Sequence, residues 1–413
     1  MDRDCAAAER LARGLPLGEA VDCSSAGAWA ALDLGVRVLA WESPHLLPAH
    51  EWATGRRLRW DWDSPLPSVR LWRTSPTEGE LALALCHPDG RIREAALGRA
   101  AGVPALLPLL IVRCADWAGP VRERARVLLA RAPAPDLAPW AELVLLLARR
   151  VQGGYALDLL ERTLREGPVA RVEGLLTSGD RATRRLAHRI ALDRGLLRAG
   201  RLARTAAGSD DGVLQNLCAE AAIASMGEED RDEVLAVLLA ARAPRVRSAG
   251  VTALRRTGRH GEARPFLADR SGVVRACARY VLRQGGIDPL PLYRSMCATP
   301  AAHPGAVAGL GECGGRADAE TLWPLVAHPL PAVRGHAVTG LRALDAVTRE
   351  RLTPLLDDPS SAVVRAATKA LLPDAAAFSP QWLRDRAAAE RPRAVRVAAQ
   401  RLLRAAGHTR ITG

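Results

Sequence analysis

The chain has 413 residues, of which 48% are hydrophobic and only 4% are aromatic. Alanine and leucine are abundant while β-branched residues are sparse, which favours helix and argues against a protein built of sheets. The formal net charge is +13, although residues 1–80 hold nine arginines against twelve acids, so the positive excess belongs to the rest of the chain.

The N-terminal part differs in kind from the remainder of the sequence. Six of the ten tryptophans lie in residues 29–72, where the pattern alternates like a short strand or an irregular cap. In an extended backbone Trp60 and Trp62 share one face, and Asp61 and Asp63 share the other. No histidine or third acid lies at a spacing that would complete a metal or acid–base site. The sequence therefore predicts an atypical, tryptophan-rich cap with solvated carboxylates.

The sequence shows no sign of export or of membrane insertion. The N-terminal stretch MDRDCAAAERLARG has acids and no apolar core, which is untypical of a signal peptide. The longest apolar run, Val103 to Val112, has about half the length needed to span a bilayer. Eight scattered cysteines without a CxxC pair indicate reduced thiols rather than a zinc or redox motif. We therefore expect a cytoplasmic protein.

From residue 81 onward one short phrase recurs. It joins an acid or histidine, a turn, an apolar residue followed by arginine, and then alanines. Examples are HPDGRIREAAL from His87, DRSGVVRACARYVL from Asp269, HPLPAVRGHAVTGL from His328 and DDPSSAVVRAATKALL from Asp357. The copies lie about 31 residues, or multiples of that, apart, and such a period indicates a helical repeat array. The opening acid or histidine is expected to form a turn or cap the helix that comes after it.

Amphipathic stretches separate the phrases. LAPWAELVLLLARR from Leu137, ETLWPLVA from Glu320 and VTRERLTPLL from Val347 have helical periodicity. Each unit is therefore predicted as helix A, a tight turn and helix B, where the phrase itself forms helix B. Glycine pairs such as Gly285 and Gly286 are expected to end helix B.

The phrase resembles the D-P-x-x-x-V-R-x-x-A-x-x-A-L signature of HEAT repeats, in particular the bacterial type also seen in phycobilisome-lyase-like proteins. The resemblance covers residues 81–407, with 1–80 as the cap and 408–413 as a tail. It implies an all-α, right-handed α-solenoid of about ten helical pairs. In HEAT arrays the recurrent arginine and aspartate bridge adjacent turns. The resemblance therefore assigns such a structural ladder to Arg93, Arg122, Arg247, Arg275, Arg334, Arg365 and Arg396.

Three units depart from the pattern. The unit from Ser209 places Leu214 where the arginine is expected, and the unit from His303 is short and lacks the arginine. The helix that begins at Tyr155 has no Val-Arg pair. Bends or specialised surfaces are expected at these units.

Further bases lie four to five and eight to nine positions after the ladder arginines, so they share one face of helix B. The resemblance implies that this basic column lines the inner side of the stack. The column comprises Arg126, Arg131, Arg189, Arg255, Arg256, Arg279, Arg283, Arg342, Lys369, Arg401 and Arg404. The sequence thus predicts a non-catalytic scaffold or adaptor whose basic column binds an acidic surface of a partner protein.

Two alternatives remain open. The column could instead bind the phosphates of nucleic acid. Some HEAT-like solenoids are DNA glycosylases that remove alkylated bases with an aspartate among tryptophans, and Asp116, Trp117 and Trp140 would supply those residues here. The sequence holds no nucleophile elbow, phosphate-binding loop, dinucleotide fingerprint or zinc-protease motif. We therefore expect no cofactor, no metal and no small-molecule substrate.

Overall fold

The computed structural model describes residues 2–42, 76–131 and 137–407, and every regular element within these ranges is helical. The chain forms two compact units, Met1–Leu196 and Leu197–Gly413. The boundary between them falls inside the predicted repeat region and does not test the predicted division at residue 80. The predicted tail, residues 408–413, lies outside the described residues.

The first unit is built on helices that pack against their neighbours in sequence. Its helices are α1 (Asp2–Ala12), α2 (Leu17–Ala20), α3 (Ala26–Glu42), α4 (Glu78–Leu85), α5 (Gly90–Ala100), α6 (Leu107–Arg113), α7 (Gly119–Arg131), α8 (Ala141–Leu147), α9 (Gly154–Glu166), α10 (Val169–Leu175) and α11 (Arg181–Asp193). α3 packs on α1, α6 and α8, and it buries Trp29, Leu32 and Val36 completely. This burial holds one face of α3 against the helical pairs.

The second unit alternates short elements with longer B helices. Its helices are α12 (Ala199–Gly208), α13 (Gly212–Ser225), α14 (Arg231–Ala240), α15 (Pro244–Arg256), α16 (Gly272–Gln284), α17 (Pro289–Cys297), α18 (Pro304–Cys313), α19 (Ala319–Leu322), α20 (Pro331–Ala343), α21 (Arg349–Leu352), α22 (Ser361–Leu371), α23 (Pro380–Ala387) and α24 (Arg393–Ala405). The B helices α13, α15, α16, α18, α20, α22 and α24 each contact the next, so they form one layer within this unit. A single pair could not bury its apolar face alone, and the neighbouring pair supplies the missing wall.

Proline shortens several A helices that the sequence predicted as single helices. The stretch from Glu320 divides into α19 and a 3₁₀ turn that begins at Pro324, and α21 is followed by a 3₁₀ turn that contains Pro354. Proline has no N–H to donate and its ring crowds the preceding turn, so the α-helical bonds stop there. Helix A is consequently the less regular element of these two pairs.

Glycine permits an unusually close approach of α18 and α20. A Cβ atom added to Gly311 would lie 2.2 Å from Cα of Gly340, so position 311 has no room for a side chain. Gly286, one of the predicted helix-ending glycines, has φ +74°, and the N–H of Ile287 donates to the carbonyl of Leu282 at 2.9 Å. These are the bonds of a helix end that requires a left-handed residue.

Within the described residues no helix is long and apolar enough to cross a membrane.

Candidate binding surface

The turn that opens helix B is organised by its acid or histidine. The side chain accepts a hydrogen bond from the backbone N–H two residues further along, which satisfies an amide that the helix leaves unpaired. The acceptors are a carboxylate oxygen of Asp116, Asp269 and Asp358 and Nδ1 of His87 and His328, at 2.8–3.1 Å. The recurrent first residue of the phrase thus accepts a backbone hydrogen bond and stabilises the turn.

Three ladder arginines join neighbouring helical repeats. Nε and Nη2 of each guanidinium donate to the two oxygens of the aspartate that opens the next B helix, and this bidentate geometry is strong as well as directional. The pairs are Arg93–Asp116, Arg247–Asp269 and Arg334–Asp358, with donor–acceptor distances of 2.8–2.9 Å. Nη1 of the same arginine donates to the carbonyl six residues before it, so one side chain fixes two turns.

The ladder aspartates are held in the charged form. Burial would raise the pKa of Asp116, Asp269 and Asp358, but hydrogen bonds from the paired arginine and from the turn N–H outweigh it. The pKa of each carboxyl therefore lies below its ordinary value. These ion pairs persist at neutral pH and are part of the fold.

Arg275 takes a different partner. No acid lies 22 to 24 residues after it, the separation found in the other three pairs. Its guanidinium donates instead to Glu312 of α18, which also accepts from Nη1 of Arg279 at 2.7 Å. Burial opposes the charge on Glu312, yet the two arginines hold its pKa below the usual value. The short unit that lacks its own ladder arginine thus supplies the acid.

Three of the predicted ladder arginines form no bridge to a following repeat within the described residues. Arg122 and Arg396 reach carbonyls of their own turns, at 3.0 Å to Asp116 and 2.6 Å to Ala389. Arg365 is exposed and makes no hydrogen bond or ion pair with any residue in the described ranges.

The local sequence explains why Arg365 departs from the predicted ladder. Arg365 lies seven positions after Asp358, whereas Arg275 lies six positions after Asp269. One extra residue turns the side chain by about 100° around the helix. The positions 22 to 24 residues after Arg365 are all alanine, so an acidic partner is also missing. Both conditions for a bridge fail at this unit.

Two further residues occupy the ladder position without having been predicted. Nη1 of Arg184 donates to the carbonyl of Ser178, six residues before it, at 2.6 Å. In the unit from Ser209, Leu214 is buried in the apolar position, so Gln215 stands where arginine was expected. Its Nε2 donates to the carbonyl of Ser209 at 2.7 Å. The sequence analysis placed this unit one residue out of register.

Within the second unit, the basic column resolves into a row with a fixed position. Four B helices, α15, α16, α20 and α24, carry an arginine at their twelfth residue, in the last turn. We call these four residues the arginine row: Arg255, Arg283, Arg342 and Arg404. All four are exposed, and none makes an ion pair with a residue in the described part of the chain.

Other predicted members of the column are also exposed. Arg256, Lys369 and Arg401 lie on the same layer of B helices as the row, and Arg256 contacts the carbonyl of Ile223 at 3.4 Å. Arg131 and Arg189 are exposed on α7 and α11 of the first unit.

Two predicted column residues are engaged inside the fold. Arg126 donates to the carbonyl of Cys114 at 3.2 Å and stacks over the ring of Tyr155 at 5.1 Å. Arg279 donates to Glu312 and, at 3.2 Å, to the hydroxyl of Tyr293. Arg126 also pairs with Glu123 at 3.4 Å, so both guanidinium groups are held by contacts within the fold and are not free charges on the surface.

Apolar side chains accompany the exposed bases. Tyr280 lies three residues before Arg283 and Val397 lies four before Arg401, so each pair shares a helix face. Both apolar side chains are exposed, and the guanidinium of Arg255 lies 5.7 Å from the ring centre of Tyr280. The surface around the row is therefore mixed, with positive and apolar elements side by side.

The residues considered for a glycosylase are arranged for structure. Asp116 is 3% exposed, and its two carboxylate oxygens accept from Arg93 and Arg113. The ring of Trp140 packs edge-on against Trp29, with centroids 6.4 Å apart. A carboxylate held by two guanidinium groups is poorly placed to act on a substrate.

Within the described residues, no group of three or more His, Cys, Asp or Glu side chains could hold a metal ion. The carboxylates of Asp61 and Asp63 and the rings of Trp60 and Trp62 lie outside the described residues, as does the whole stretch 43–75 of the predicted cap.

Comparison with known proteins gives only distant structural similarity. No protein-family model matches the chain, and no curated protein matches its sequence. Among solved structures, Escherichia coli YibA is 16% identical over 59% of this chain and 96% of its own, with a TM-score of 0.27. Importin beta is 12% identical over 98% of this chain and 62% of its own, with a TM-score of 0.27. A chain of the Kap95:Nup1 complex is 12% identical over 98% and 64%, with a TM-score of 0.31.

Proposed function

We propose that the chain is a right-handed, HEAT-like α-solenoid that acts in the cytoplasm as a non-catalytic scaffold, and that its arginine row binds an acidic segment of a partner protein. The observation that supports this proposal is the fixed position of the row on its helices. Four exposed arginines occupy the same residue of four B helices in one layer, and none is neutralised within the described residues. The ladder arginines other than Arg365, by contrast, donate their hydrogen bonds to carboxylates and carbonyls of the fold.

The charge pattern favours a protein segment over a nucleic acid backbone. Adjacent helices pack roughly 8 to 10 Å apart, so the row offers separated charges rather than a dense strip. Glu312 already pairs with Arg275 and Arg279 of the layer, so these two bases are not free to join the row into a continuous line of phosphate contacts. Exposed Tyr280 and Val397 provide apolar contacts that a peptide with mixed acidic and apolar side chains would use.

A binding experiment with synthetic probes tests this proposal. Fluorescence anisotropy would compare three labelled probes: a peptide alternating glutamate with leucine or tyrosine, random-sequence duplex DNA, and single-stranded RNA. We expect the peptide to bind, and we expect substitution of all four row arginines by glutamate to weaken binding by at least about tenfold. Circular dichroism should be unchanged because the four side chains are exposed.

The matched control reverses four exposed arginines outside the row. Substitution of Arg124, Arg149, Arg162 and Arg201 by glutamate changes the net charge equally and is expected to leave peptide affinity within about twofold. An equal loss in both quadruple variants would show that only net charge matters. Salt-sensitive binding of DNA or RNA without peptide binding would replace the proposal with the nucleic-acid alternative.

A further inference from the structure

A cleft in the first unit is not explained by the arginine row. It has a volume of about 460 Å³ and opens where α3, the turn after α6 and the loop after α8 meet. Its lining includes Asp33 and Arg37 of α3, Arg113 and Asp116 at the turn, and Arg150 of the loop. The volume is in the range of small-molecule sites, roughly 300 to 1,000 Å³.

The floor of the cleft is a closed ion network. Asp116 accepts from Arg93 and, at 2.8 Å, from Nη1 of Arg113, while Nη2 of Arg113 donates to Asp33. Arg93 and Arg113 have 0% and 1% of their side chains exposed. These two guanidinium groups and two carboxylates balance each other.

Two more arginines leave the cleft with an excess of positive charge. Arg37 approaches one oxygen of Asp33 at 3.4 Å and Arg150 approaches the other at 3.9 Å. Their side chains are 31% and 44% exposed, and Nε of Arg37 is buried without a hydrogen-bond partner in the described residues. Four guanidinium groups therefore share two carboxylates, which leaves two positive charges unbalanced among the described residues.

The neighbouring thiol does not offset this excess. Burial, followed by the charge of Asp33, raises the pKa of Cys86 to about 12, despite the opposing effect of the arginines. The thiol is thus neutral near pH 7. A partly desolvated positive excess is costly unless an anion accompanies it.

Apolar side chains form the rim of the same cleft. Leu34 is 53% exposed and Val151 is 98% exposed, and both belong to the lining. The half-exposed ring of Trp117 also lies at the rim. A ligand that fits this arrangement has an anionic end for the arginines and an apolar body for the rim.

We propose that this cleft binds a small organic oxyanion, with its carboxylate or phosphate group held by Arg37 and Arg150 and its apolar body against Leu34 and Val151. The arginines would replace their long contacts to Asp33 with short, charge-assisted hydrogen bonds to the ligand. A cationic ligand would be repelled by the same charges. The site lies wholly in the first unit, so it is independent of the arginine row.

Calorimetric titration of the full chain tests the site with defined probes. The probes are phenyl phosphate, phenylacetate, inorganic phosphate and benzyl alcohol. We expect phenyl phosphate to bind most tightly, phenylacetate to bind more weakly because it carries less charge, and neutral benzyl alcohol not to bind. Substitution of Arg37→Gln or Arg150→Gln should each weaken phenyl phosphate binding by about tenfold. Val151→Glu at the rim should also weaken phenyl phosphate binding by about tenfold. It should leave folding unaffected because Val151 is exposed.

Arg124→Gln, an exposed change on α7 outside the cleft lining, serves as the control and should leave the affinity unchanged. Absence of phenyl phosphate binding at about 5 mM, or binding that the cleft variants do not weaken, would overturn the proposal. Equal affinity for phenyl phosphate and inorganic phosphate would overturn the assignment of an apolar body.

Discussion

In the first unit Arg93 and Arg113 are almost fully buried and share Asp116, whereas in the second unit the arginine row is exposed and meets no carboxylate among the described residues. In the part of the chain that the structure describes, arginine is therefore a paired, buried residue in one place and an exposed, unpaired surface residue in another. A buried guanidinium must be paired, because an unpaired charge in the interior is very costly. An exposed guanidinium costs little and keeps its donors for a partner. A net charge of +13 does not distinguish these two groups of arginines, but burial and pairing do.

The comparison predicts that damage to the buried network costs the most stability. Asp116→Asn keeps the shape of the side chain but leaves Arg93 and Arg113 short of a counter-charge in a buried site. We expect the free energy of unfolding to fall by about 3 to 5 kcal/mol. Urea unfolding followed by circular dichroism measures the loss. Asp193→Asn, an exposed change on α11, should shift it by less than about 0.5 kcal/mol.

The pH dependence of that loss gives a second measurement. The pKa of Asp116 is lower in the folded protein than its unfolded value of about 3.9, so its stabilising effect is complete above that pH. The effect is lost as pH falls through the folded pKa, because the carboxyl then becomes protonated and resembles asparagine. The difference between wild type and D116N should shrink below about pH 4. A loss that stays constant with pH would contradict an ionic origin.

The regular rungs of the ladder follow from sequence spacing, whereas the buried network does not. Arg247 lies 22 residues before Asp269, and Arg334 lies 24 residues before Asp358. The arginine of one phrase and the aspartate of the next therefore pair through their regular spacing along the chain. Asp33 lies 80 residues from Arg113, on a helix outside the predicted repeat region. No local pattern encodes that contact, because it depends on how α3 packs against the helical pairs.

The exposed row was predictable only in part. The offset of eight residues from a ladder arginine correctly marks a helix position, but it does not show whether another side chain reaches it. Arg283 and Arg279 lie on the same helix and differ in this respect, because Glu312 comes from a unit of irregular length. The period breaks at that unit, so the sequence could not show that Arg279 is neutralised.

Two arginines that look equivalent in the sequence should differ in their contribution to stability. Arg334→Gln removes a bidentate pair and leaves the largely buried Asp358 with only its turn N–H, so we expect a loss of about 1 to 3 kcal/mol in the free energy of unfolding. Arg365→Gln should change it by less than about 0.5 kcal/mol because the side chain is exposed and bridges to no described residue of a neighbouring unit. Urea unfolding of both variants is the measurement. Equal losses would show that Arg365 bridges neighbouring helical repeats in solution.

The smallest expected effect concerns the acid that interrupts the basic layer. Glu312→Gln releases Arg279, which lies one helical turn from Arg283, and so adds a base beside the arginine row. The same change leaves the buried Arg275 without its counter-charge, so urea unfolding first establishes that the variant is folded under the binding conditions. We expect the acidic peptide to bind about two- to fivefold more tightly, since added exposed charge pairs contribute little individually. The matched change Glu320→Gln on α19 alters net charge equally and should leave the affinity unchanged. If both variants gained equally, net charge rather than the position of Glu312 would set the affinity, and the row would lose its special role.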